Sequence, residues 1–304
     1  MAFLLSNEIL NAISEELRRA RESVQIISAF CKEDTIRFLS KDISSDVKEK
    51  RILIRFRLDD LISGNTDFSV LDFCMENGWD TYIRFDLHAK TYIVDHKRGI
   101  NTSANATNRG LSIGRSGNVE LGTLIDVEPQ DIEKIDKLFC DAIRVNETVL
   151  GKLKEQYDFA REDLLPRKAY TWSEEILGMF SPDINTLFSY ELPDTSEIKD
   201  SVYLGFLDLV VQNDNISEIK KTFRWSNSYL WLLSTLKNNN GCMYFGALTK
   251  TLHDTVVSEP KPYRREIKEM LANLLAVIEQ LEMDEVCIDI PNYSQRVRLR
   301  DICR

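Results

Sequence analysis

Apolar residues in the first twenty positions recur at helical spacing. Ile9, Leu10, Ile13 and Leu17 fall on one face, and Glu15, Glu16, Arg18 and Arg19 fall elsewhere. Ser6-Asn7-Glu8 before them has the composition of a helix start. The period then changes. Residues 24–30 form a mostly apolar run of strand length, and residues 51–57, 80–85, 88–94 and 118–126 read as further strands. Short helices are predicted over 34–40 and 68–77, the second ending at Gly78, which suits a left-handed cap. Pro129 opens a helix to about Val145, and residues 147–163 continue as helix. Helices alternating with apolar strands predict an α/β sandwich over residues 1–165.

The pattern changes after the breaker Leu164-Leu165-Pro166-Arg167-Lys168. Helices are predicted over 174–180 (capped by Ser173), 196–211, 217–222, 226–236 and 264–283. The last carries Ile267, Leu271, Leu274, Leu275, Ile278 and Leu281 at helical spacing. Two short strands, 286–290 and 295–300, close the chain around Pro291-Asn292-Tyr293-Ser294. Residues 166–304 are therefore expected to form a mainly helical domain ending in a β-hairpin.

Composition adds bounds. The 304 residues are 43% hydrophobic and 29% charged, which is globular rather than disordered. Six cysteines without a Cys-x-x-Cys pair argue against a disulfide framework or a zinc site and suit a reducing, cytoplasmic compartment. No apolar run approaches the ~20 residues of a membrane span, and the N-terminal apolar run is too short for a signal peptide. A net charge of −10 is unusual for a nucleic-acid binder, because phosphate contacts dominate such affinity, but it does not preclude a local basic site.

The chemistry concentrates in His88-Ala89-Lys90-Thr91-Tyr92-Ile93-Val94-Asp95, followed by Thr102-Ser103-Ala104-Asn105. Side chains of a strand alternate, so His88 and Lys90 are expected on one face and Asp95 on the other. An imidazole beside a fixed ammonium is suited to attack on a phosphate, because the cation screens the anion that would repel its attacker.

These residues, His88-x-Lys90-x4-Asp95 with Ser103-x-Asn105 beyond, resemble the His-Lys-Asp signature of the phospholipase D superfamily. The resemblance covers about residues 1–160. Thr102 departs from it, standing where the family commonly has glycine. It implies a phospholipase D-like α/β/α sandwich in which His88 is the nucleophile of a phosphohistidine intermediate. Lys90, Ser103 and Asn105 would hold the phosphate oxygens, and Glu120 would orient the histidine. Asp95 is assigned a structural role. Arg109 and Arg115 flank the motif as candidate substrate-binding residues, with solvated surface positions as the alternative. His96, with no lysine two places on, is read as a surface residue.

Double displacement needs a second imidazole to protonate the leaving oxygen. His253 is followed two places on by Thr255 and fails the pattern, so the chain carries one copy of the motif. The expectation is a homodimer with its active site at the two-fold interface, needing neither metal nor other cofactor. One-motif members resemble metal-independent bacterial restriction endonucleases, which implies a DNA nuclease of restriction or phage-defence type. The alternatives are a lipid-cleaving or phosphatidyl-transferring enzyme, and a non-catalytic scaffold subunit. Basic clusters at Arg264-Arg265-x2-Lys268 and Arg296-x-Arg298-x-Arg300 make the second half a DNA-recognition or partner-docking domain. A winged-helix arrangement would make 226–236 the groove helix, although its Trp and Leu content favours core packing.

Overall fold

The structure is a computed structural model that describes residues 3–114, 117–162, 170–180, 184–198, 203–207, 209–210 and 216–300. Two compact units meet in sequence at Phe180 and Ser181. The boundary expected at residue 165 lies outside the described residues. Trp172, Ile176 and Phe180 belong to the first unit's core.

The first unit runs β1 (Phe3–Leu5), α1 (Asn7–Arg19), β2 (Ser23–Ser28), α2 (Glu33–Ser40), β3 (Glu49–Arg55), α3 (Leu58–Ile62), α4 (Ser69–Glu76) and β4 (Asp80–Arg84). It continues with β5 (Lys90–Val94), β6 (Arg98–Thr102), β7 (Leu121–Asp126), α5 (Pro129–Cys140), β8 (Ile143–Arg144), α6 (Glu147–Glu162) and α7 (Glu174–Leu177). The strands form one eight-stranded sheet in the order β1-β7-β6-β5-β2-β3-β4-β8. Among the described strands of this sheet, β2-β3 and β3-β4 pair in parallel and the rest are antiparallel.

Every residue of β2 is buried, because both faces of the sheet are covered. Val24 and Ile26 join the main core with α1, α2, α4 and α6. Ile27 and Leu53 face the other way onto Phe139 of α5. This is the α/β/α sandwich that the alternation predicted.

Several boundaries moved. The strand expected from His88 begins at Lys90, because its partner β2 ends at Ser28, which pairs with Lys90. Asp95 and His96 both take positive φ (51° and 54°) and form the β5–β6 turn. The helix expected to reach Val145 stops at Cys140, since Ile143 is buried as a two-residue strand against β4. Strands β1 and β6 were not anticipated. Ser6 does not cap α1; its φ is 36° and its hydroxyl makes no cap bond.

The second unit contains two short strands, β9 (Tyr203–Leu204) and β10 (Leu209–Val210), where one helix over 196–211 was expected. Gly205, at the end of β9, starts a 3-10 turn there instead. Then come α8 (Ile216–Arg224), α9 (Asn227–Asn238), β11 (Cys242–Tyr244), α10 (Phe245–Thr255), α11 (Arg264–Gln280), β12 (Val286–Asp289) and β13 (Arg296–Leu299). The terminal hairpin is present, with β11 added beside β13 to give the order β11-β13-β12. Ser226 caps α9 by accepting from the Tyr229 amide at 3.3 Å. Tyr229, Trp231, Leu232 and Leu236 of α9 are buried in the unit's core, so that helix is unavailable to a nucleic-acid groove.

Candidate active site

Strand registers bring the candidate residues together. β2 runs antiparallel to β5 and pairs Ser28 with Lys90. β5 pairs Thr91 with Asn101 of β6, and β6 pairs Thr102 with Gly122 of β7. The finishing ends of β2 and β6 and the starting ends of β5 and β7 therefore lie in one row. His88 and Lys90 enter the sheet there, Ser103 and Asn105 leave it there, and Glu120 immediately precedes β7. Asp95 sits at the opposite end of β5, about five strand rises (~16 Å) away.

Lys90 is 8% exposed, and its ammonium donates to the His88 carbonyl at 2.7 Å. Burial and the nearby Arg55 cation hold its pKa below the ordinary lysine value, opposed by the charge of Glu120. His88 is exposed, and among the described residues no side chain is bonded to its ring. Its position in the lead-in to β5 removes the strand alternation as a reason for His88 and Lys90 to share a face.

Glu120 is 9% exposed. One carboxylate oxygen accepts from the Ser103 hydroxyl and the other from the Asn118 amide at 3.1 Å. Its backbone is clamped by Ser6, whose amide donates to the Glu120 carbonyl at 3.1 Å and whose hydroxyl accepts from the Glu120 amide at 3.4 Å. Glu120 thus meets Ser103 directly and is not bonded to His88.

The loop after β6 alternates. Ala104 and Ala106 are fully buried, while Ser103 is exposed and Asn105 half-buried. Asn105 Oδ1 accepts from the Phe30 amide at 3.0 Å, which leaves its Nδ2 to donate elsewhere. Ser28 anchors the same turn, donating to the Phe30 carbonyl at 2.7 Å and accepting from the Ala106 amide at 2.9 Å. Thr102 is the last residue of a paired strand, so no positive φ is required of it. The glycine lies across from it at Gly122, where a Cβ would come within 3.0 Å of the Thr102 Cβ.

Beside Asn105 lies a cavity of about 630 Å³ lined by Phe30, Lys32, Asp67, Arg109 and Asn118, among others. Arg109 reaches it; Arg115 lies outside the described residues. Lys32 donates to Asp67 at 2.7 Å, and Arg55 makes a two-pronged pair with Asp60 at 2.8 and 3.0 Å. Sequence reasoning missed Arg55, Ser28 and Phe30, which are remote from the motif along the chain, and gave no role to Asn118, two residues before Glu120. Gly110 was also missed: a Cβ there would collide with the Asn105 carbonyl oxygen. Among the described residues no three His, Cys, Asp or Glu side chains cluster so as to hold a metal ion.

Asp95 has a different environment. Its carboxylate accepts from the backbone amides of Arg21, Glu22 and Ser23 at 2.7–3.0 Å. Burial raises its pKa, but these three amides outweigh that and hold it below the usual carboxylate value. His96 is half-buried, with its ring bonded to Gln25 at 2.7 Å.

Residues 13–143 match the family described as cardiolipin synthase, PLD-like domain. His88, Lys90, Ser103, Asn105 and Glu120 all fall within the matched residues. Among solved structures, Nuc from Salmonella typhimurium, a phospholipase D family member, is 16% identical with a TM-score of 0.37, covering 47% of this chain and 97% of its own. NucT from Helicobacter pylori is 16% identical with a TM-score of 0.35, covering 47% and 98%. The phosphatidylserine synthase of Haemophilus influenzae is 15% identical with a TM-score of 0.37, covering 57% and 45%. No curated protein matches the sequence.

Proposed function

We propose that the chain is a metal-independent phosphodiesterase, a DNA nuclease that works as a homodimer. The observation that carries this reading is the row of groups at one end of the sheet. There an exposed, unbonded imidazole stands beside a buried ammonium, an amide with a spare donor and a buried carboxylate. The imidazole of His88 attacks phosphorus, and the bond to the leaving oxygen breaks as the partner's His88 gives that oxygen a proton. Water then attacks the phosphohistidine while the partner's His88 accepts its proton, and the P–N bond breaks to restore His88. Lys90 and Asn105 stabilise the charge developing on the non-bridging oxygens. Ser103 and Glu120 hold the wall behind them, and the Glu120 charge supports the Lys90 ammonium. Arg109, with Arg115 as its sequence companion, binds flanking phosphates.

An apolar patch supports the dimer. Phe3, Leu5, Val119 and Leu121 are exposed beside Glu120, and Leu5 lies opposite Leu121 in the β1–β7 pairing. Large apolar side chains exposed beside half of a two-histidine site fit a second copy of the chain.

The cardiolipin synthase description of the matched family favours a second reading, phosphatidyl transfer. Among the described residues, no helix is long and apolar enough to cross a membrane. Plasmid DNA and phosphatidylcholine vesicles are to be assayed side by side in excess EDTA. DNA cleavage by wild type and none by His88→Ala is expected; lipid turnover alone would transfer the site to lipid chemistry, and loss of activity in EDTA would refute the metal-independent mechanism.

A further inference from the structure

The second unit turns the opening of a charged helix to solvent. Its order is helix α9, strand β11, helices α10 and α11, then the hairpin β12–β13, with β13 between the other two strands. A helix pair followed by a β-hairpin is the plan of a helix-turn-helix with a wing, in which the second helix of the pair enters the groove. That helix is α11. It buries Ile267, Leu271, Leu274, Leu275 and Ile278, and turns Arg264, Arg265 and Lys268 to solvent.

The charges that open α11 are mixed: Glu266 caps the first turn by accepting from the Tyr263 amide at 2.6 Å, and Arg264 and Arg265 stand beside it. Cations are favoured at a helix C-terminus and anions at the N-terminus. Glu266 follows that rule, whereas Arg264 and Arg265 at the start, the lack of a basic residue in the last turn and exposed Glu279 near the end do not. Arg264, Arg265 and Lys268 gain nothing from the dipole at this end of the helix, and an external anion beside its first turns would pair with them. Among the described residues Arg265 pairs with Glu269, in an i,i+4 contact at 3.2 Å whose side chains are both mostly exposed, and such pairs are weak. Ala272 follows on the exposed side, small enough to let a groove wall approach, and Tyr263 just before the helix is 81% exposed. The hairpin arginines are differently placed: Arg296 is held by both Asp289 oxygens at 2.9 and 2.7 Å, and Arg298 lies 3.5 Å from the same carboxylate.

We infer that Arg264, Arg265 and Lys268 form the face by which the second unit binds duplex DNA. The inference rests on the nuclease reading only for the purpose of the bound DNA. It replaces 226–236, buried as α9, with α11 as the groove helix.

The test uses the full chain carrying His88→Ala, so that bound DNA is not cut. Fluorescence anisotropy with a labelled duplex of about 20 base pairs is followed across a salt series. The triple change Arg264→Gln, Arg265→Gln and Lys268→Gln is expected to weaken binding at least about tenfold at ~100 mM salt. It should also lower the slope of log K against log salt by about 0.9 for each phosphate that is no longer neutralised. Lys268→Glu alone should act in the same direction, whereas Lys237→Gln, an exposed lysine on α9, should bind as the parent does. Circular dichroism monitors folding, which glutamine at exposed helical positions preserves. No duplex binding by the parent, or unchanged affinity and salt slope in both α11 variants, would overturn the inference. Hydrolysis of bis(4-nitrophenyl) phosphate by the wild-type chain reads the first unit separately. Its absence with DNA binding intact would break the site reading alone.

Discussion

The two ends of strand β5 each carry part of one sequence signature, and they are treated in opposite ways. At the finishing end, Asp95 spends its carboxylate on three backbone amides and ties the β5–β6 turn to the start of β2. At the starting end, His88 is exposed and unbonded, Lys90 has only a carbonyl, and the Asn105 amide keeps a donor in reserve. Polar groups are normally paired when buried. A saturated group is part of the scaffold, whereas capacity left open inside a firmly held frame is where a ligand would enter. The contrast separates residues that the motif alone cannot separate.

Substitutions can break this contrast. The largest expected effect is at His88: His88→Ala should lower phosphodiester cleavage by at least about 10⁴-fold without changing the thermal midpoint, because the ring supports nothing in the fold. Lys90→Met should cost about 10²–10³-fold in kcat, the range for removing one donor to a developing anion. With its pKa depressed by burial and Arg55, Lys90 should also place an alkaline fall in activity below the pH of an ordinary lysine.

Asp95→Asn is the counterpart. It should leave kcat near wild type and cost about 1 kcal/mol of stability in denaturant titration, as charge-assisted bonds at a half-buried turn do. The folded pKa of Asp95 is depressed, so its contribution is complete above the unfolded value of about 3.9 and is lost as pH falls through the folded value. The variant should therefore show a flatter acid limb of stability below about pH 4. A loss of kcat at neutral pH without loss of stability would reverse the assignment of the two ends. The smallest effect is expected at Gly110→Ala. A Cβ overlapping the Asn105 carbonyl oxygen forces the loop to shift, for about 1 kcal/mol or somewhat more, and lowers activity through Asn105 alone.

The motif was legible because its spacing is local, and so were α1, β2 and the hairpin, where periodicity coincides with burial. What failed depended on distant partners. The strand start at Lys90 is decided by where β2 ends, and the break at Cys140 by Ile143 pairing with β4. The setting of Glu120 required Ser6, Ser103 and Asn118, and Ser6 lies 114 residues away. Three apolar residues at the N-terminus carry no signal that they pair with β7. The reading of 226–236 as a groove helix failed for a related reason, because its Tyr229, Trp231, Leu232 and Leu236 are core residues. That strand β11 precedes α10 and α11 and pairs with β13 is a matter of tertiary pairing that the sequence pattern did not reveal.

The central claim is that the sheet end is half of a site, completed by a second copy of the chain. Mixing wild type with tagged His88→Ala, isolating the mixed dimers and measuring metal-free DNA cleavage tests it most directly. Nearly inactive mixed dimers, at a few per cent of wild-type turnover or less, are predicted, because each cycle needs one imidazole to attack and the other to carry the proton. Half of the wild-type turnover per mixed dimer would mean that each protomer works alone, and would contradict the account.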